Sequence, residues 1–255
     1  KTLVDTHSHI YSEDFLHDID DVMQRAYDND VKKLILPNID SGSIKRLVDL
    51  SDSYPHLCYP LMGLHPTSVA DDYQEELAAV EYWLGKRKFY GIGEIGIDLY
   101  WEQSFVEEQK DAFRYQIKLA KTHDLPVVIH LRNSFDEVYA IVKEEQNGHL
   151  RGTFHCFTGS REEAQRVVDL GFYLGIGGVV TFKNSRLDEV IESVDLHNLL
   201  LETDAPYLSP VPKRGRRNES AYLVFVAQKV AEVYGITVER VAEITTSNAR
   251  NLFGI

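Results

Sequence analysis

Histidines and acids recur where apolar, strand-like stretches of the chain run out: His7 and His9 in VDTHSHI, Glu94 in YGIGEIG, His130 in PVVIH, His155 in TFHCF and Asp204 in LLLETDAP. Imidazole nitrogens and carboxylate oxygens are the donors that divalent metals such as Zn²⁺ and Mn²⁺ take up, and burying either without a cation or partner is costly. His7 and His9 are two apart, so on an extended backbone both rings project to one side and can chelate one cation. Four histidines and two carboxylates exceed the three or four protein ligands of a single catalytic zinc, whereas two cations sharing a bridging carboxylate use all six. The expectation is a metal-dependent hydrolase holding two divalent metal ions: Zn²⁺, Mn²⁺ or, less comfortably, Mg²⁺. Glu94 is the natural bridge, because a carboxylate offers two oxygens and the flanking Gly93 and Gly96 let the backbone come close. The competing reading of Glu94 is an acid neutralised by a lysine or arginine.

Such residues need a scaffold, and the hydrophobic pattern supplies one. Apolar runs at Leu3–Val4, Leu34–Leu36, Leu57–Leu64, Phe89–Ile92, Val127–Ile129, Gly152–Phe154, Phe172–Ile176 and Leu199–Leu201 are near-continuous, as in parallel strands buried on both faces. Helical spacing lies between them: Phe15, Ile19, Val22 and Ala26 behind a candidate cap at Ser12, then Phe113, Ile117 and Ala120. Eight strands alternating with helices, without a linker or repeat, predict an α/β fold, a single (β/α)8 TIM-type barrel occupying residues 1–255 as one domain. Reactive residues of such barrels sit at the carboxyl ends of the strands, where the candidate ligands fall.

Composition narrows the partners. The net charge is −13, which disfavours non-specific coating of duplex nucleic acid. PVPKRGRRN departs from that trend, gathering Lys213, Arg214, Arg216 and Arg217 shortly after Asp204; it reads either as a solvated loop or as a clamp for an anionic substrate. No window approaches ~18 consecutive apolar residues, and KTLVDTHSH enters a strand directly, so no membrane association or export is expected and the cytoplasm is the expected location. Cys58 and Cys156 have no paired spacing and read as free thiols. His17, His56, His123, His149 and His197 fall in expected helices or connections and stay outside the site.

The ordered motifs VDTHSHI, GLHP, GIGEIGIDLYW, VVIHLR, FHCFTGS, ETDAPYLSP and PKRGRRN resemble those of the TatD family of metal-dependent deoxyribonucleases, within the amidohydrolase superfamily, over essentially the whole chain. The resemblance implies that His7, His9, Glu94 and Asp204 hold one cation, that His130 and His155 hold the second, and that the glutamate bridges them. It further implies that Asp204 handles the proton, that His65 of GLHP contacts a phosphate oxygen, and that the substrate is single-stranded or nicked DNA attacked from an end, with no protein partner required. His65 read without the resemblance is a turn residue before Pro66. Ile95, Leu131 and Asn133 depart from the family pattern beside the ligands and bear on substrate preference, and Ser220 stands near where the family commonly has proline. Ser220 there reads as a cap for the following helix.

A hydroxide activated by the two metals is the expected nucleophile, since coordination lowers the pKa of water to as little as ~7. Arg214 and Arg132 are candidates to hold flanking phosphates bidentately, Arg132 reading equally as a structural ion pair. The main alternative is a binuclear amidohydrolase acting on a small ester, lactone or cyclic amide, because barrels host many chemistries. A non-catalytic metal-binding barrel is the remaining one. The carboxyl-terminal stretch from Val233 is expected to continue as helix against the barrel bottom or flank, with Asn248 and Asn251 bonding local backbone.

Overall fold

Strand and helix alternate along the whole chain, each apolar run being followed by an amphipathic helix that covers it. The computed structural model describes residues 1–101 and 103–255. Its elements are β1 (Leu3–Asp5), α1 (Ile19–Asp28), β2 (Val31–Leu36), α2 (Ile44–Ser53), β3 (Cys58–Pro60), α3 (Tyr73–Leu84), β4 (Ile92–Asp98), α4 (Val106–His123) and β5 (Val127–Arg132). There follow α5 (Phe135–Glu145), β6 (Gly152–Phe154), α6 (Arg161–Asp169), β7 (Tyr173–Ile176), α7 (Leu187–Ile191), β8 (Leu199–Leu201), α8 (Leu223–Tyr234) and α9 (Val238–Phe253). All strand pairings are parallel and sequential, β1-β2-β3 in one ladder and β4-β5-β6-β7-β8 in the other. Isolated parallel bridges between Met62 and Ile92 and between Ser8 and Ala205 connect the edges of the two ladders. The eight strands thus follow the order of a (β/α)8 TIM-type barrel, as expected.

Alternate residues of the strands enter different apolar clusters. Leu3, Leu34, Leu36, Val127, Ile129, Leu199 and Leu201 pack with the helices. Val4, Ile35, Leu61, Val128 and Leu200 pack together with Ala249, Leu252 and Phe253 of α9, so the last helix plugs the amino-terminal end of the strands. This inner register sets the site, because side chains two and four residues further along an extended strand face the same way. Val128 is followed by His130, and Leu200 by Glu202; Asp204 lies past the end of β8 with φ +59, its N–H donating to His7 O at 2.8 Å.

Several expectations need correction. The fourth strand is not Phe89–Ile92 but Ile92–Asp98: Phe89 is buried, yet ladder pairing begins only at Ile92, so Glu94 lies inside a strand. The third strand is confined to Cys58–Pro60 within the apolar run Leu57–Leu64. Ser12 caps a 3-10 turn, Glu13–Phe15, through a bond from Asp14 N; α1 begins later at Ile19. His17 falls in the turn between them. Ser220 caps nothing: it is buried and its hydroxyl donates to Asp5 Oδ2 at 2.7 Å. Asn248 bonds distant backbone, its amide reaching Leu196 O at 3.2 Å and Leu199 O at 2.8 Å and so fixing the start of β8 to α9. Among the described residues, no single helix is long and apolar enough to cross a membrane.

Removing the Asn248 amide takes a donor from two carbonyls at the start of β8, of which Leu196 O keeps the Leu199 N–H, a loss of about 1–3 kcal/mol. Asn248→Ala is therefore expected to lower the urea midpoint at an unchanged m-value; an unchanged midpoint removes this tie from the account of the fold.

Candidate metal centre

Residues on or just beyond β1, β5, β6 and β8, with the GLHP turn, gather histidines and an acid around Glu94 of β4. Pairing of β4 with β5 jumps from Gly93 opposite Val128 to Ile95 opposite Ile129, so Glu94 is the extra, unpaired residue of a bulge. Its backbone bonds Asn38 O instead, at 3.1 Å, and a bulge of this kind re-aims the side chain it carries. Close strand approach is needed just beyond it. Gly96 has φ +148, and a Cβ there would fall 1.9 Å from His130 O, so only glycine lets β4 and β5 meet where Glu94 and His130 do.

The two Glu94 oxygens face different imidazoles. Oε1 stands 3.0 Å from His7 Nε2 and 3.3 Å from His9 Nε2. Oε2 stands 2.9 Å from His130 Nδ1, 3.3 Å from His65 Nε2 and 3.6 Å from His155 Nε2. Asp204 Oδ1 completes the group, 3.5 Å from both His7 and His9 and 3.7 Å from His155. His155 also stacks on His7, with ring centroids 3.3 Å apart, so it stands between the expected first and second ligand sets. A cation with tetrahedral bonds of ~2.0–2.1 Å needs donors about 3.3 Å apart. The observed separations, from 2.9 to 3.7 Å, fit that requirement. Among the described residues, every group at ion-pair distance from Glu94 is a histidine, which removes the reading of Glu94 as an acid held by lysine or arginine.

Outer contacts assign the ring protons. Tyr11 OH donates to Pro37 O at 2.5 Å and so accepts from His9 Nδ1 at 3.0 Å, which turns His9 Nε2 toward the centre; burial opposes a charge on this ring, but Tyr11, Asp204 and Glu94 raise its pKa well above the usual value. His130 Nε2 lies 2.7 Å from Asp98 Oδ2, which leaves Nδ1 free to face Glu94. His155 Nδ1 lies 2.8 Å from Glu202 Oε1, which leaves Nε2 inward. His65 is the reverse case. Its Nδ1 accepts from Thr67 N at 3.1 Å, so the neutral ring carries its proton on Nε2 and presents a donor to the centre. Although His65 lies within ligand distance of Glu94 and His130, this tautomer suits it to an anionic oxygen rather than to a cation. Sequence reading missed Tyr11, Asp98 and Glu202. A signal was available for two of them: Asp98 and Glu202 stand at even spacing from Glu94 and Asp204 on strands whose inward faces those residues mark.

Burial and charge act in opposite directions here. Burial alone would raise the Glu94 pKa, but His65, His7 and His155 hold it well below the usual carboxylate range. Burial also opposes ionisation of Asp204, and His155 with His9 and His7 lowers it nonetheless. Burial lowers His7 and His65, favouring the neutral rings. Burial works against a charge on His155 too, yet Glu202, Asp204 and Glu94 raise its pKa to about 9. Beneath the site Asp5 accepts from His7 N at 3.2 Å, Thr203 N at 2.9 Å and Thr203 Oγ1 at 2.6 Å, tying the His7 and Asp204 segments together.

The remaining candidates lie on the rim. Arg132 makes no ion pair among the described residues; its guanidinium sits 3.6 Å over the Tyr100 ring and 5.4 Å from that of Trp101. Arg214 lies 3.7 Å over Phe182. Arg217 leaves the expected anion clamp, since Asp18 takes it bidentately at 3.0 and 2.6 Å. Its guanidinium is used to hold the turn before α1.

A family model described as TatD related DNase matches residues 4–254. The uncharacterized metal-dependent hydrolase YabD of Bacillus subtilis is 40% identical over 254 residues, covering 99% of each chain. The protein named 3'-5' ssDNA/RNA exonuclease TatD of Salmonella typhimurium is 32% identical over 250 residues, covering 96% of each. Among solved structures, the TatD homolog YJJV of Escherichia coli superposes with a TM-score of 0.93 at 31% identity, over 99% of this chain and 98% of that one.

With a pKa near 9 the metal-free His155 carries a proton at pH 7, and a metal can take Nε2 only as that proton leaves. Titrating Zn²⁺ into metal-free protein at pH 7 in buffers of different ionisation enthalpy is expected to report release of about one proton or more, with affinity rising toward pH 9. Glu202→Gln removes the first-named carboxylate that raises His155 and is expected to reduce that release and to weaken binding about 10–100-fold. Heats independent of the buffer contradict the assigned protonation.

Proposed function

The chain belongs to the TatD family of metal-dependent hydrolases, and from that premise we propose that it is a deoxyribonuclease, cleaving phosphodiester bonds from the end of single-stranded or nicked DNA. The observation that carries the reading is the division of labour around Glu94: the outer partners of His9, His130 and His155 turn one ring nitrogen of each inward, where it becomes a metal donor on losing its proton, while the neutral His65 presents a proton beside them. The exonuclease name of the Salmonella relative supports the same substrate class.

His7, His9, Glu94 and Asp204 are proposed to hold one divalent cation and His130 and His155 the second, with Glu94 shared. Such cations supply Lewis acidity, neutralising charge at the phosphoryl group and acidifying water. The chain's own residues do the rest. Asp204, whose side chain is 16% exposed against 2% for Glu94, is the carboxylate open to substrate and is kept ionised, so it accepts the proton of the attacking water and returns it to the leaving oxygen. His65 Nε2–H donates to a non-bridging phosphoryl oxygen, where negative charge grows. Arg132 and Arg214 are proposed to hold flanking phosphates from the rim.

Asp204→Asn is expected to lower kcat on end-labelled oligonucleotide by about 10²–10⁴; near-wild-type kcat with full metal content overturns the role. His65→Ala is expected to keep its metal by elemental analysis and lose about 10²-fold in turnover. Loss of metal instead would make His65 a ligand. Wild-type protein is expected to carry two divalent ions per chain and to lose and regain digestion with chelator and metal. In a panel with lactones and hydantoins, turnover of those and not of DNA overturns the nuclease reading.

The net charge of −13 means that attraction is local to the cation-bearing centre and its rim. Log K against log salt is expected to have a slope of about −2, for roughly three phosphates of a single strand; a slope steeper than about −4 contradicts few contacts.

A further inference from the structure

Two large aromatic side chains stand in solvent directly beside the centre, Tyr100 at 48% exposure and Trp101 at 68%. Their placement is fixed from within. Asp98, whose Oδ2 holds His130, uses Oδ1 to accept from Tyr100 N at 3.0 Å and Trp101 N at 3.4 Å, so one carboxylate separates the aromatic pair from a metal-site histidine. Gln109 of α4 locks that carboxylate's backbone, donating to Asp98 O at 3.2 Å and accepting from Asp98 N at 2.8 Å.

The rings are arranged with a cation. Tyr100 and Trp101 meet edge to face at 4.7 Å, and Arg132, two residues after His130, lies 3.6 Å over Tyr100. A cavity of about 220 Å³ borders Trp101, lined also by Pro66 and Thr67 of the turn after His65, by Val69, Phe105 and Asp98. Burying an indole is favourable by a few kcal/mol, so an exposed tryptophan beside a cleft has apolar area left to gain from a flat ligand. Arginine over aromatic rings beside a further open aromatic face suits a ligand with both a flat π-system and an anion.

We infer that Trp101 is a stacking platform for a nucleobase at the strand end, with Arg132 meeting that nucleotide's phosphate while the scissile linkage lies at the metal centre. The inference rests on the nuclease reading for its ligand, and it adds the side chain that recognises the base. Stacking of this kind is tolerant of sequence, because every base has a π-face, and it distinguishes a nucleotide end from a bare phosphodiester.

The test uses the metal-loaded protein with Trp83→Phe, which leaves Trp101 as the sole tryptophan. Its fluorescence is titrated with a single-stranded oligothymidylate whose terminal linkages are phosphorothioates, and with the same strand ending in abasic nucleotides. The base-bearing end is expected to quench Trp101 and to bind about 5–100-fold more tightly. On cleavable strands, Trp101→Ala is expected to raise KM by a similar factor for base-bearing ends only, with Trp101→Phe retaining most of the affinity. Digestion without quenching, or with equal KM changes on both ends, overturns the platform and leaves the nuclease reading intact. Quenching without digestion of any strand upholds the platform and overturns the nuclease reading.

Discussion

A single buried carboxylate organises this protein. Glu94 places one oxygen before His7 and His9 and the other before His65, His130 and His155, with no lysine or arginine at ion-pair distance among the described residues. A carboxylate and five imidazoles at such distances are poorly balanced without further positive charge, since each desolvated group wants a partner that the others only partly supply. The fold accepts that cost through features that have no other evident purpose: the bulge that turns Glu94 out of the ladder, and a glycine at 96 where any Cβ would strike His130. The scaffold is shaped to the site as much as the site is mounted on the scaffold.

A second layer turns those histidines into distinct tools. An imidazole becomes a ligand or a donor according to which nitrogen its outer partner occupies. Tyr11, Asp98 and Glu202 each face one ring nitrogen and turn the other inward, whereas Thr67 donates to His65 and leaves its inward nitrogen protonated. On the proposed reading, four rings of the same residue type, all turned toward one carboxylate, are thereby divided between holding cations and meeting an anion. Because Asp98 also carries the Tyr100–Trp101 backbone, the orientation of His130 and the placement of the rim are one arrangement.

The barrel and the cluster of candidate ligands were legible in the sequence for the same reason: inward residues repeat every second position, and polar donors appear where that repeat leaves the apolar interior. Val128 to His130 carries both signals. Pattern failed where pairing departs from regular alternation, as at β4, whose glycines and bulge blur the strand and whose start was read three residues early. It failed again for contacts between distant segments. Nothing local distinguishes Ser220 as a donor to Asp5 from a helix cap, or Arg217 as the partner of Asp18 from a free phosphate ligand, because both partners lie about two hundred residues away.

The reassignment of Arg217 changes how an acidic protein can meet a polyanion. With that guanidinium held by Asp18, basic charge in the KRGRR loop cannot act as a general phosphate-attracting block, and the surface as a whole repels nucleic acid. On the nuclease reading, capture then depends on short-range chemistry beside the metal centre, where Arg132 lies over Tyr100 next to the exposed Trp101. On that reading such a surface favours a free end over the middle of a duplex, because an end can bring an unstacked base and a phosphate together into a narrow cleft. The negative charge elsewhere then becomes a source of selectivity, rejecting whatever cannot make those contacts.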